Sequence, residues 1–237
     1  MKNHRVILIS GWGAGLSAWK KTIPLLSCPH THVPWWDCLD DKSDNNLLSK
    51  LIETSKEQII LAGWSLGGMI ALWAGARFNS KISGAVLIAT TARMTEDRDY
   101  DGTESRVLKA MKTRLKIDKL GLINDFVKMA DSGKNGAPSI MEDYIKEAMS
   151  MDDNLLKSGL TYLMQTDYRD IVHNISFPVK IVHGTDDLII NPSNSRFLCE
   201  NIKNASLTMI PEMGHLIPYI APEIIADRIK ELVNCRT

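Results

Sequence analysis

Three side chains far apart in the chain have the types that nucleophilic catalysis needs: Ser65, Asp187 and His215. A serine hydroxyl attacks a carbonyl effectively only when a base takes its proton, and an imidazole is the commonest base. A carboxylate on the other ring nitrogen orients that imidazole and stabilises its cation. Ser65 lies in Gly63-Trp64-Ser65-Leu66-Gly67-Gly68, with glycine two residues to either side. The apolar run Gln58–Ala62 before it reads as a buried parallel strand, and Met69–Phe78 after it as a helix. A serine on such a strand-to-helix turn has its hydroxyl raised above the sheet, at the cost of backbone strain. A plain helix N-cap serine would need neither flanking glycine.

The acid and the base follow later strands. Asp187 lies three residues after Gly184, the end of the predicted strand Pro178–Gly184. That spacing favours it over Asp186, which reads as a cap or a solvated residue. His215 closes the loop Pro211–His215 after the last predicted strand, Leu207–Ile210; His183 reads as structural and His173 as a surface residue. After the first predicted strand, Val6–Ile9, comes Ser10-Gly11-Trp12-Gly13-Ala14-Gly15. Its glycine spacing does not fit a dinucleotide fingerprint. It does suit an oxyanion hole made by the backbone N–H groups of Trp12 and Leu66.

The elements that must position these groups alternate strand and helix, which predicts a mostly parallel, doubly wound α/β sheet. A second, weaker strand is expected within His30–Asp37, a helix at 45–55, a strand at Ile82–Ala89 and a closing helix at Pro222–Val233. Ser17 is expected to cap the helix after the Gly-rich turn. From about 92 to 172 no strand is legible; Ser105–Lys116, Leu120–Asp131 and Ser139–Met151 read as helices, with a loop at 131–136. A helical insertion at the carboxyl edge of a sheet is expected to act as a lid. Within it Arg106, Lys109, Lys112, Arg114, Lys116 and Lys119 are opposed in sequence only by Asp118, which suits either a solvated face or a dock for an acidic partner. Trp12, Trp35 and Trp36 are candidate substrate-binding residues, although Trp35 and Trp36 would equally suit plain packing.

The 237 residues suffice for one core and a single domain, 1–237. Lys and Arg total 28, as do Asp and Glu, so no pull toward nucleic acid or an anionic membrane is implied. The first apolar run is too short for a signal peptide or a membrane span. Cys28, Cys38, Cys199 and Cys235 lack disulfide or zinc-ribbon spacing, and His30 and His32 beside Cys28 and Cys38 match no common metal site. The expectation is a cytoplasmic monomer without metal or cofactor.

The chain resembles α/β-hydrolases over nearly its full length. More narrowly, it resembles the pimeloyl-[acyl-carrier protein] methyl ester esterases of biotin synthesis. The resemblance is carried by Ser10-Gly11-Trp12-Gly13 with Trp19, Gly63–Gly68, Thr166-Asp167-Tyr168-Arg169, Ile175-Ser176-Phe177-Pro178 and Gly184–Asp187. It implies an ester substrate borne on acyl-carrier protein, with a basic lid holding the carrier. Ser10 stands where those enzymes usually have histidine, the loop at 35–44 lacks their Asp-x-Pro-Gly-x-Gly pattern, and Asn191 replaces a frequent proline. The same residues would serve a generalist short-chain esterase or thioesterase. They would also serve a menaquinone-pathway lyase, which needs cations in its pocket, or a non-catalytic receptor on the same fold.

Overall fold

The computed structural model describes residues 3–39, 46–132 and 138–234, with the backbone alone at 138 and 139. The predicted loop residues 133–136, residues 40–45 and Cys235 lie outside these.

Six strands form one sheet: β1 (His4–Ile9), β2 (His30–Val33), β3 (Gln58–Trp64), β4 (Ile82–Ile88), β5 (Val179–Gly184) and β6 (Ala205–Ile210). All pair in parallel, in the order β2-β1-β3-β4-β5-β6. Strands β1, β3 and β4 are apolar on both faces, without alternation, because helices cover a parallel sheet on both sides. Edge strand β6 is only half-buried.

The strand order reverses between β1 and β3. The turn after β1 and the turn after β3 therefore flank the crevice at the carboxyl ends, where open α/β sheets bind ligands. Helices α1 (Leu47–Thr54) and α2 (Leu66–Arg77) connect β2 to β3 and β3 to β4. The β1-to-β2 connection runs the opposite way, so the right-handed rule puts it on the other face. It is not the predicted helix but two 3₁₀ turns, Leu16–Trp19 and Ile23–Leu25. Pro24 prevents a longer α-helix. Ser17 lies inside the first turn and makes no cap. Likewise only His30–Val33 of the predicted second strand is extended; after Pro34 the chain turns as 3₁₀ over Trp35–Cys38.

Between β4 and β5 come four helices: α3 (Ser105–Ile117), α4 (Lys119–Ala130), α5 (Pro138–Ser150) and α6 (Asp153–Gln165). The first three match the sequence reading, while α6 was not foreseen. Its start was legible: the Asp152 side chain accepts from the Asn154 amide. Helix α7 (Pro192–Asn201) was also missed, although Asn191 caps it at 2.9 Å through the Ser193 amide and Pro192 holds its first position. Two last helices follow, α8 (Ile217–Ile220) and α9 (Pro222–Asn234). No described helix is long and apolar enough to cross a membrane.

Candidate active site

Ser65 has φ +56° and ψ −120°, a conformation sterically unfavourable for a residue with a Cβ. Four hydrogen bonds hold it there. Its amide donates to the Ile88 carbonyl at 2.9 Å, and its carbonyl accepts from Thr90 Oγ1 at 2.7 Å and from the Gly68 and Met69 amides. The flanking glycines are steric necessities. A Cβ on Gly63 would strike the Gly67 carbonyl, and one on Gly67 the carbonyls of Ile9 and Ser10.

His215 is fully buried, and its Nδ1 lies 2.7 Å from Asp187 Oδ2. An ionised carboxylate only accepts, so Nδ1 carries the proton and the Nε2 lone pair is free. Nε2 is buried without a hydrogen-bond partner among the described residues. The His215 backbone is pinned at both groups: its N–H donates to the Ala130 carbonyl at 2.7 Å, and its carbonyl accepts from Trp64 Nε1 at 2.9 Å. The elbow tryptophan thus holds the histidine loop. Asp187 is buried, whereas Asp186 is exposed and its carboxylate accepts from the neighbouring Thr185 Oγ1. Burial pushes the Asp187 pKa up, but the His215 and His183 rings outweigh it and hold the carboxyl well below the usual carboxylate range.

The turn after β1 brings Trp12 to the same end of the sheet. No hydrogen bond occupies the Trp12 or Leu66 N–H among the described residues, and Leu66 opens α2, where the positive end of the helix dipole favours an anion. Helix α5 grips this turn, which the sequence reading did not foresee. Tyr144 Oη donates to the Trp12 carbonyl at 2.6 Å, and Gly13 takes φ +74° beneath it. The Glu147 carboxylate accepts from the Gly15 amide at 2.7 Å and from Ser17 Oγ, which also meets Tyr219 Oη at 2.8 Å. Tyr144 and Glu147 sit three residues apart on one helix face, but nothing in the sequence said which loop that face would meet. Ser10, where the resembling enzymes have histidine, is internal: it accepts from Trp19 Nε1 at 2.9 Å, lies 3.1 Å from His32 Nε2 and donates to the Gly15 carbonyl.

The tryptophans divide. Trp35 is wholly inaccessible, with Nε1 donating to the Ala14 carbonyl at 3.1 Å, so it is core and not a pocket wall. Trp36 is half-buried, edge-on to it. The Trp12 indole donates to the Leu156 carbonyl at 2.8 Å and packs edge-on to Phe126. Among the described residues no cluster of three His, Cys, Asp or Glu could hold a metal.

The lid cations are far less free than their spacing suggested. Arg106 pairs with Glu104, Arg114 with Asp125 and Asp118, and Lys119 with Asp153. Lys112 donates to Thr161 Oγ1 at 2.8 Å. Lys109 and Lys116 are exposed, with no ion pair among the described residues. Folding supplied Asp125 and Asp153 from other helices, whereas Glu104 stands two residues before Arg106 and could have been weighed from the sequence.

The family model described as "alpha/beta hydrolase fold" matches residues 51–222. The chain belongs to that family. A curated relative, the pimeloyl-[acyl-carrier protein] methyl ester esterase of Neisseria meningitidis serogroup A, is 26% identical over 229 residues, spanning 92% of this chain and 72% of its own. Among solved structures, an esterase from Exiguobacterium antarcticum aligns with TM-score 0.86 at 19% identity, covering 99% of this chain and 94% of its own. A bromoperoxidase from Bacillus anthracis aligns equally well, with TM-score 0.86 at 16% identity over 98% of this chain and 92% of its own. One backbone thus carries differently named activities, and the choice among them falls to the site.

Proposed function

We propose that the protein is a carboxylic ester hydrolase in which Ser65 is the nucleophile, His215 the general base and Asp187 the orienting acid. The observation that carries this is the strained Ser65 at the head of α2 together with the buried His215–Asp187 pair, whose Nε2 has no hydrogen-bond partner among the described residues. Ser65 Oγ adds to the ester carbonyl while its proton passes to His215 Nε2. The Trp12 and Leu66 amides receive the oxyanion. The carbon–alkoxide bond then breaks, His215 returns the proton to the leaving alcohol, and an acyl-enzyme remains. Water, deprotonated by the same Nε2, releases the acid and restores Ser65.

The substrate we propose is the methyl ester of a pimeloyl chain borne on acyl-carrier protein in the cytoplasm, with methanol as the first product. Support comes from the name of the curated relatives and from the exposed cations Lys109 and Lys116 on helix α3, which serves as part of a lid. Pairing of Arg106 and Arg114 favours the alternative, a generalist esterase without carrier docking. Rates on the methyl esters of free and carrier-linked dicarboxylates separate the two. With Lys109→Glu and Lys116→Glu together, kcat/KM for the carrier-linked ester should fall roughly 2- to 30-fold at low salt, as expected for two lost surface pairs. Free esters should be spared. Equal loss on both substrates, or none on either, would favour the generalist.

A further inference from the structure

We propose that His183 is a positioning residue for the catalytic carboxylate, a second imidazole packed against the same Asp187 oxygen that His215 uses. His183 ends β5 and is wholly buried. Its Nε2 lies 3.0 Å from the Ile190 carbonyl and 3.2 Å from Asp187 Oδ2. A carbonyl oxygen can only accept, so Nε2 carries a proton, donates it to Ile190 and sets the positive end of its N–H beside Oδ2. Its Nδ1 lies 2.6 Å from Ser195 Oγ on α7, whose hydroxyl donates to it and completes a neutral ring.

The carboxylate is held at both oxygens. Asp187 Oδ1 accepts from the Ile189 and Ile190 amides at 2.8 and 2.9 Å, and Oδ2 accepts from His215, with His183 Nε2 3.2 Å away. A carboxylate offers about four lone-pair sites; three donors occupy it, and the His183 N–H dipole lies beside the remaining one. Rotation of the carboxylate would break several of these bonds at once, so Oδ2 stays where His215 Nδ1–H needs it. Neutrality of His183 also matters: a second cation on Oδ2 would compete with the imidazolium that forms at His215 during the reaction. An apolar residue would fill the same space without placing an N–H beside Oδ2.

The inference rests on the triad reading above, and the test keeps the two apart. In His183→Phe, which retains the ring volume, kcat should fall about 10- to 100-fold with KM within about threefold. That is below the roughly 10⁴-fold that changing the acid itself costs in a serine protease triad. The downfield proton resonance of His215 Nδ1–H should weaken or move. His183→Gln, which can return an N–H toward Oδ2, should recover much of the lost kcat. An unchanged kcat and resonance in His183→Phe, in an enzyme that Ser65→Ala inactivates, would overturn the role of His183 alone. An active Ser65→Ala would instead overturn the triad. Should His183→Phe fail to fold, ¹⁵N shifts of the unaltered protein near neutral pH decide: Nε2 protonated with Nδ1 bare supports the proposal, and the Nδ1–H tautomer or a doubly protonated ring overturns it.

Discussion

Removing the hydroxyl of Tyr144 tests whether the helical insertion helps to build the oxyanion hole. Tyr144→Phe keeps the ring in its stack with Phe126 and deletes only the 2.6 Å bond to the Trp12 carbonyl. That carbonyl lies in a buried turn, and an unsatisfied buried acceptor costs about 1–3 kcal/mol. The turn can relieve this by rotating the Trp12 peptides, since Gly13 at φ +74° offers little resistance. Rotation carries the Trp12 N–H away from the oxyanion. If the whole cost appears in the transition state, kcat falls about 5- to 150-fold, within the range for losing one oxyanion donor. Substrate binding away from the carbonyl is untouched, so KM should change little. The assay is steady-state hydrolysis of a small aryl ester, with thermal unfolding in parallel. In a chain of this size each kcal/mol lost lowers Tm by about 2–4 °C. A variant with lower Tm and unchanged kcat would refute the link between Tyr144 and the oxyanion hole.

Gly159→Ala sets two effects against each other. Alanine is favoured over glycine inside a helix by about 1 kcal/mol. Its Cβ, however, would lie 2.7 Å from Trp12 Cδ1 and 2.9 Å from Trp35 Cζ3, and neither indole has room to retreat. Overpacking of about 1–3 kcal/mol should win, lowering both Tm and kcat; a gain in Tm at full activity would contradict this packing. Asp187→Asn should cost about 10⁴-fold in kcat by imposing the wrong His215 tautomer. The folded carboxyl titrates below its ordinary value near 3.8, so its stabilisation is complete above that value and is lost as pH falls below it. Urea unfolding of both proteins should therefore show a stability gap that is flat above about pH 5 and closes below pH 4; a gap unchanged down to pH 2 would contradict the assigned shift.

Most of the sheet was legible because buried parallel strands are short, apolar and β-branched, and β1, β3, β5 and β6 each run into a glycine-bearing turn. The elbow was equally plain, since steric necessity writes Gly63 and Gly67 directly into the sequence. Asp187 could be separated from Asp186 by its distance from Gly184, and the burial of one and exposure of the other follow from the loop. What one chain segment could not reveal was pairing across segments. Tyr144 and Glu147 meet the Trp12 turn over more than 130 residues. Asp125 on α4 pairs with Arg114 and Asp153 on α6 with Lys119, cations that looked unopposed along their own helix. Trp35 resembled a pocket wall because an aromatic beside a proline loop suits a wall and a core alike, and only the fold decides.

The whole account depends on an acyl group passing through the hydroxyl of Ser65. The most direct test is ester hydrolysis by Ser65→Ala, measured beside its circular dichroism and melting curve. Turnover should fall by about three orders of magnitude or more, in a protein that folds as before and no longer takes up a fluorophosphonate. Substantial hydrolysis by that variant, with the fold intact, would contradict the account.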